Sequence, residues 1–73
     1  MSDSAIQITI QVNGNPQTLP EGSSIETLLE QLKLSGQRIA VEHNEDVIPR
    51  SEYAQTALQA GDRVEIIRAI GGG

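Results

Sequence analysis

The chain has 73 residues, enough for one domain, and its ten acidic and five basic side chains give a formal charge of −5. That balance lacks the clustered lysine and arginine that phosphate binding needs, so no nucleic acid is expected as a partner, while a basic protein surface is compatible. There is no cysteine, which excludes disulfides, thiolate metal sites and a cysteine nucleophile and makes a cytoplasmic location the default expectation.

A chain this short buries only about 60% of its unfolded surface. Trp and Phe are absent and Tyr53 is the only aromatic, so the core must be aliphatic. The opening "MSDSAIQITIQV" has no basic region and no long apolar run, and is read as neither a signal peptide nor a membrane anchor.

Residues 5–12, "AIQITIQV", alternate: Ile6, Ile8, Ile10 and Val12 on one side, Gln7, Thr9 and Gln11 on the other. This is the pattern of a half-buried strand. "NGN" follows, and Asn-Gly is a strong hairpin signal. Residues 16–19, "PQTL", return as a short second strand, with Pro16 at its start, where a missing donor does least harm. "PEGSSIETLLEQLKL" reads as turn, cap and helix. Ser23 and Glu26 have capping-box spacing. Ile25, Leu28, Leu29 and Leu32 form one apolar stripe, and Gly36 is placed to end the helix region in a left-handed turn.

"RIAVEH" is a third strand with Ile39 and Val41 inward, and "NED" turns the chain. "VIPR" is a brief fourth strand halted by Pro49. "SEYAQTAL" reads as a single helical turn or compact loop anchored by Tyr53 and Leu58, and "AGDR" as a tight turn. In the last strand, "RVEIIRAI", Val64, Ile66 and Ile70 share a face interrupted by Arg68, while Arg63, Glu65, Ile67 and Ala69 share the other.

Segregated strands with one helix predict an α+β layer pair, the helix covering one face of a mixed sheet of four to five strands. The first and last strands both carry inward aliphatic residues and share the helix's core. They are therefore expected side by side and parallel, which is the β-grasp (ubiquitin-like) arrangement. Residues 1–70 make up this domain, with residues 1–4 expected to be disordered ahead of it and residues 71–73 a flexible glycine tail.

The candidates for chemistry are few. A hydrolytic triad needs nucleophile, base and orienting acid, and His43, the one base of the usual kind, sits in a strand pattern and reads as structural. One histidine without cysteine cannot supply a zinc site. "EHNED" gathers Glu42, Glu45 and Asp46 without calcium-loop spacing. No glycine-rich phosphate loop is present. No catalytic residue, metal or bound cofactor is expected, and the chain is not read as an enzyme.

The tail remains. Gly71, Gly72 and Gly73 follow a strand, where no helix needs capping. Without side chains they offer backbone freedom and a small cross-section. Extended, they reach roughly 10 Å beyond the fold. A thin arm ending in a carboxylate can enter a narrow channel in another protein. There an enzyme can adenylate the carboxylate with ATP, and a sulfur donor can replace AMP to leave a thiocarboxylate. Taken alone, "GGG" is equally the stump of a linker.

These pieces resemble the ThiS family of ubiquitin-like sulfur carriers. "VNGNPQTLPEGSSIETLLEQL" resembles the family's opening hairpin and helix, "AVEHNEDVIPRSEYA" its Asn-containing turn with Pro-Arg before a short helical turn, and "LQAGDRVEIIRAIGGG" its final strand and glycine tail. The resemblance implies a ThiF-type enzyme that adenylates Gly73, a sulfur-donating enzyme, and thiazole synthase (ThiG) as recipient of the sulfur for the thiazole ring of thiamine. It implies a monomer on its own, with no membrane partner. Residues 1–4 and the third glycine depart from the family pattern, so Gly71 is a spacer at most. Ile67 and Ala69 fall on the sheet face away from the helix and, with Arg68 beside them, form a candidate docking patch. Arg68 and Arg50 are candidates for pairing with a partner's acidic groups. The alternatives are a molybdenum-cofactor sulfur carrier, a protein modifier joined to lysines, and an interaction module with an incidental tail.

Overall fold

The computed structural model describes residues 6–68. Residues 1–4, expected as a disordered extension, and Ala69, Ile70, Gly71, Gly72 and Gly73 lie outside the described residues. The described residues form a five-stranded mixed sheet with one helix across one face.

Strand β1 (Gln7–Val12) keeps the alternation of its sequence, with Ile8, Ile10 and Val12 buried and Gln7, Thr9 and Gln11 exposed. Ile6 departs from the expected pattern and is 65% exposed. It precedes the first ladder pair, Gln7 with Pro20, and so lies past the edge of the core. Asn13 and Gly14 have φ of 51° and 85°, the doubly left-handed turn that matches strand twist in a tight hairpin. Strand β2 (Asn15–Pro20) returns antiparallel along the sheet edge. Pro16 and Pro20 are tolerated there because an edge strand has one unpaired side.

Helix α1 (Ile25–Gln31) buries Ile25, Leu28 and Leu29, and Leu32 packs partly against the same cluster. Its cap corrects the expected Ser23–Glu26 pairing. Ser24 is the N-cap: its Oγ accepts from the Thr27 N–H at 3.2 Å, and Thr27 Oγ1 accepts from the Ser24 N–H at 3.4 Å. Ser23 is drawn elsewhere. Its hydroxyl donates to the Pro20 carbonyl at 2.7 Å, and its own carbonyl accepts from the Leu58 N–H at 2.8 Å. Glu26 instead accepts from the Ser35 hydroxyl at 2.9 Å.

The helix end is corrected as well. Lys33, not Gly36, takes the left-handed position, with φ 62°. Its N–H donates to the Glu30 carbonyl at 3.1 Å, and the Leu34 N–H to the Leu29 carbonyl at 2.7 Å, which is the Schellman pattern. Gly36, φ 82°, serves the next turn, where the Gln37 N–H donates to the Leu34 carbonyl at 3.1 Å.

Strands β3 (Ile39–His43) and β4 (Asp46–Ile48) form a second hairpin through Asn44 and Glu45. A 3-10 turn (Arg50–Glu52) leads to Tyr53 and Leu58, both buried as anchors of the connection. Strand β5 (Arg63–Arg68) then enters the middle of the sheet. The order is β2-β1-β5-β3-β4, with β5 parallel to β1 and antiparallel to β3. This is the β-grasp topology, and the parallel pairing of first and last strands is the one the sequence predicts. Ile10, Leu19, Ile25, Leu28, Val41 and Val64 are fully buried between sheet and helix. No helix among the described residues is long and apolar enough to cross a membrane.

Candidate functional site

The candidate site is the far end of β5 and the sheet face turned from the helix. Alternation along β5 sends Val64 and Ile66 into the core and leaves Ile67 outside, 54% exposed. Ile67 stands directly opposite Ala40 of β3, which is also exposed. One step along the same face, Glu65 faces Glu42, and Glu42 faces Val47 of β4, 69% exposed. The outer face therefore combines apolar Ala40, Ile67 and Val47 with two carboxylates. Like charges directly opposite one another repel, so the Glu42–Glu65 pair favours a basic group laid over it. Val47 was not among the sequence candidates. Its signal was the "VI" alternation of the fourth strand, in which an inward Ile48 requires an outward Val47.

Arg68 is exposed, but alternation places it on the opposite face from Ile67. The structure thus does not bring Arg68 into one patch with Ile67, because consecutive strand residues point to opposite sides. Arg50 is exposed at the start of the 3-10 turn. Ala69, Gly71, Gly72 and Gly73 lie outside the described residues.

Strand β5 is gripped at both ends by asparagine side chains. At its start, Asn44 Oδ1 accepts from the Arg63 N–H at 2.9 Å, while the Asn44 N–H donates to the Arg63 carbonyl at 2.8 Å. Toward its end, Asn13 Oδ1 accepts from the Ile66 N–H at 2.8 Å, and Asn13 Nδ2 donates to the Ile66 carbonyl at 3.2 Å. Sequence reading sees these asparagines as turn residues only. The available signal is that each occupies the first left-handed position after a strand, with φ of 51° and 50°.

His43 Nε2 lies 2.6 Å from Asp62 Oδ2, at the end of the sheet away from Arg68. An open groove of about 540 Å³ near that end is lined by Ile8, Glu21, Gly22 and Leu58 among others. It gathers one carboxylate and no base or nucleophile. Among the described residues no group of three or more His, Asp or Glu side chains is arranged to hold a metal ion. The arrangement presents a surface and a strand end rather than a set of reacting side chains.

Comparison with known proteins gives a consistent result. The model of the ThiS family matches residues 10–73. The chain is 31% identical over 64 residues to the sulfur carrier protein ThiS of Escherichia coli (strain K12), covering 88% of this chain and 97% of that protein. It is 39% identical over 62 residues to a thiazole synthase of Paramagnetospirillum magneticum, covering 85% of this chain and 19% of that protein. The chain thus spans about a fifth of the length of the thiazole synthases it matches. The crystal structure of the thiamine biosynthesis protein ThiS from Geobacter metallireducens aligns with a TM-score of 0.77 at 33% identity, covering 90% of this chain and all of that one.

Proposed function

The chain belongs to the ThiS family, and from that premise we propose that it is a sulfur carrier in thiamine biosynthesis whose reactive group is the carboxyl of Gly73. A carboxylate is a poor electrophile. A ThiF-type enzyme activates it: a carboxylate oxygen attacks the α-phosphorus of ATP, pyrophosphate leaves, and an acyl-adenylate forms. Sulfide-level sulfur supplied by a sulfur-donating enzyme then attacks the acyl carbon, AMP leaves, and a thiocarboxylate remains. Thioacids are ionised near neutral pH, so the carried sulfur is a nucleophile for the thiazole-forming step. The carrier contributes an arm and a docking surface. Its partners contribute the catalytic groups, and the chain is a substrate rather than an enzyme, acting in the cytoplasm.

The observation that carries this reading is the ThiS family match, which covers residues 10–73 and so runs through Gly73. The thiazole synthase likeness supports a ThiG-type recipient, because a module joined to its partner meets it at high effective concentration. The outer face supports docking. Its apolar Ala40 and Ile67, set beside Glu42 and Glu65, complement a partly apolar, basic surface.

The test is pyrophosphate exchange into ATP by the host's ThiF-type enzyme. Exchange is expected to depend on the carrier and to vanish when one alanine is appended after Gly73. Exchange that persists with the appended residue contradicts the assignment of Gly73, and lysine-linked adducts on other proteins would favour a modifier instead.

A further inference from the structure

The ladder between β1 and β5 is short. Its Cα partners are Gln11 with Arg63 and Val12 with Val64. Beyond Val12 the chain of β1 turns away into its hairpin, while β5 runs four residues further, through Arg68. On that side the second half of β5 would be an open edge with unpaired backbone groups. Asn13 fills the next rung. Its backbone N–H donates to the Val64 carbonyl at 2.9 Å, and its side-chain amide then takes both the N–H and the carbonyl of Ile66. The carboxamide thus acts as one more residue of strand. Val41 of β3 stands opposite Ile66 on the other side, but both backbone polar groups of Ile66 point toward Asn13, so the carboxamide is their partner.

We propose that Asn13 is a positioning residue that sets how the end of β5, and with it the chain leaving Arg68, is presented to the activating enzyme. This rests on the sulfur-carrier reading above. Strand β3 stays paired with β5 through Ile39 and Arg68, whereas on the other flank the last hold on β5 is that of Asn13 on Ile66, two residues before Arg68. Releasing the Ile66 groups leaves the last residues of β5 held by β3 alone, and the enzyme must then select the competent direction from a wider set. That cost falls on productive association, not on the chemical step once the terminus is seated.

Asn44 supplies a control within the same molecule. It occupies the same turn position and holds the same strand at Arg63, the end remote from Arg68, where its Oδ1 accepts from the Arg63 N–H while its Nδ2 donates to Asp62 Oδ1.

The experiment measures carrier-dependent pyrophosphate exchange by the host's ThiF-type enzyme across carrier concentration, for the wild type, N13G, N13D and N44G. Glycine accepts the left-handed backbone at both turns, so these variants remove the amide without straining the hairpins. Losing two hydrogen bonds of ordinary strength predicts a KM for the N13G carrier raised about tenfold, with kcat changed less than about twofold. N13D retains an acceptor for the Ile66 N–H and is expected to recover part of the KM. N44G is expected to lose stability but hold its KM. Amide exchange in the free protein should quicken at Ile66 in N13G and not in N44G. A KM for N13G within about twofold of wild type overturns the proposal, as does an equal rise in N44G, which would mean general loosening. If the wild-type carrier supports no exchange, the sulfur-carrier reading itself fails and this proposal falls with it, a result distinct from a failure of N13G alone.

Discussion

His43, the last residue of β3, is bound to Asp62, the residue just before β5, through Nε2 and Oδ2 at 2.6 Å. Asp62 also accepts from the Gln59 N–H at 2.9 Å and from Asn44 Nδ2 at 3.3 Å. Partial burial acts to raise the pKa of this carboxyl. The hydrogen bonds from His43, Gln59 and Asn44, with the charge of His43, outweigh it and hold the pKa below the ordinary aspartate value. The connection into the central strand is therefore locked by one ionised carboxylate.

Acid should weaken that lock. A carboxylate with a depressed folded-state pKa adds stability that is fully present above its unfolded value, about 3.9, and is lost as pH falls through the folded value. In urea unfolding at a series of pH values, Asp62→Asn should cost about 1–2 kcal/mol at pH 7. The gap to wild type should close below about pH 4. A gap independent of pH would show that the Asp62 charge is not the stabilising feature.

The Asn44–Glu45 turn carries a strain that its counterpart avoids. Glu45 has φ 77°, where the β1–β2 hairpin has Gly14 at φ 85°. Glu45→Gly should raise the unfolding free energy by about 1 kcal/mol, read by thermal or urea denaturation. A loss of stability would mean that the Glu45 side chain makes a compensating contact.

The corrected helix cap gives a direct contrast. Ser24→Ala should cost about 1 kcal/mol by removing the acceptor for the Thr27 N–H. Glu26→Ala, at the position read from sequence as half of the capping box, should change stability by less than about 0.5 kcal/mol. The reverse order would restore the Ser23–Glu26 cap.

The outer face separates docking from folding. Ile67→Asp alters an exposed residue and should shift stability by no more than about 0.5 kcal/mol. The same change should weaken carrier binding to the ThiF-type enzyme by about tenfold, an effect measurable by titration calorimetry. Leu28→Ala, at a fully buried position, should do the opposite and cost about 3 kcal/mol of stability. Unchanged binding by Ile67→Asp would remove Ile67 from the docking surface.

The fold was legible where pattern and period decide it. Ile8, Ile10 and Val12 announce a strand at period two, and Ile25, Leu28 and Leu29 a helix face. The parallel β1–β5 pairing followed because both terminal strands carry inward aliphatic residues needing the same core. What stayed hidden depends on contacts distant in sequence. Ser23 and Ser24 look equivalent until the Leu58 backbone claims the first of them. The hold of Asn13 on Ile66 spans 53 positions, and that of His43 on Asp62 spans 19. For the candidate site, parity along β5 foretold an outward Ile67, and the same parity separates it from Arg68.

The mass of the intact carrier after incubation with ATP, the ThiF-type enzyme and the sulfur donor tests the central claim most directly. The account predicts that one terminal oxygen is replaced by sulfur, with fragment ions placing the change on Gly73. A carrier of unaltered mass, under conditions in which the same enzymes modify another ThiS protein, would contradict it.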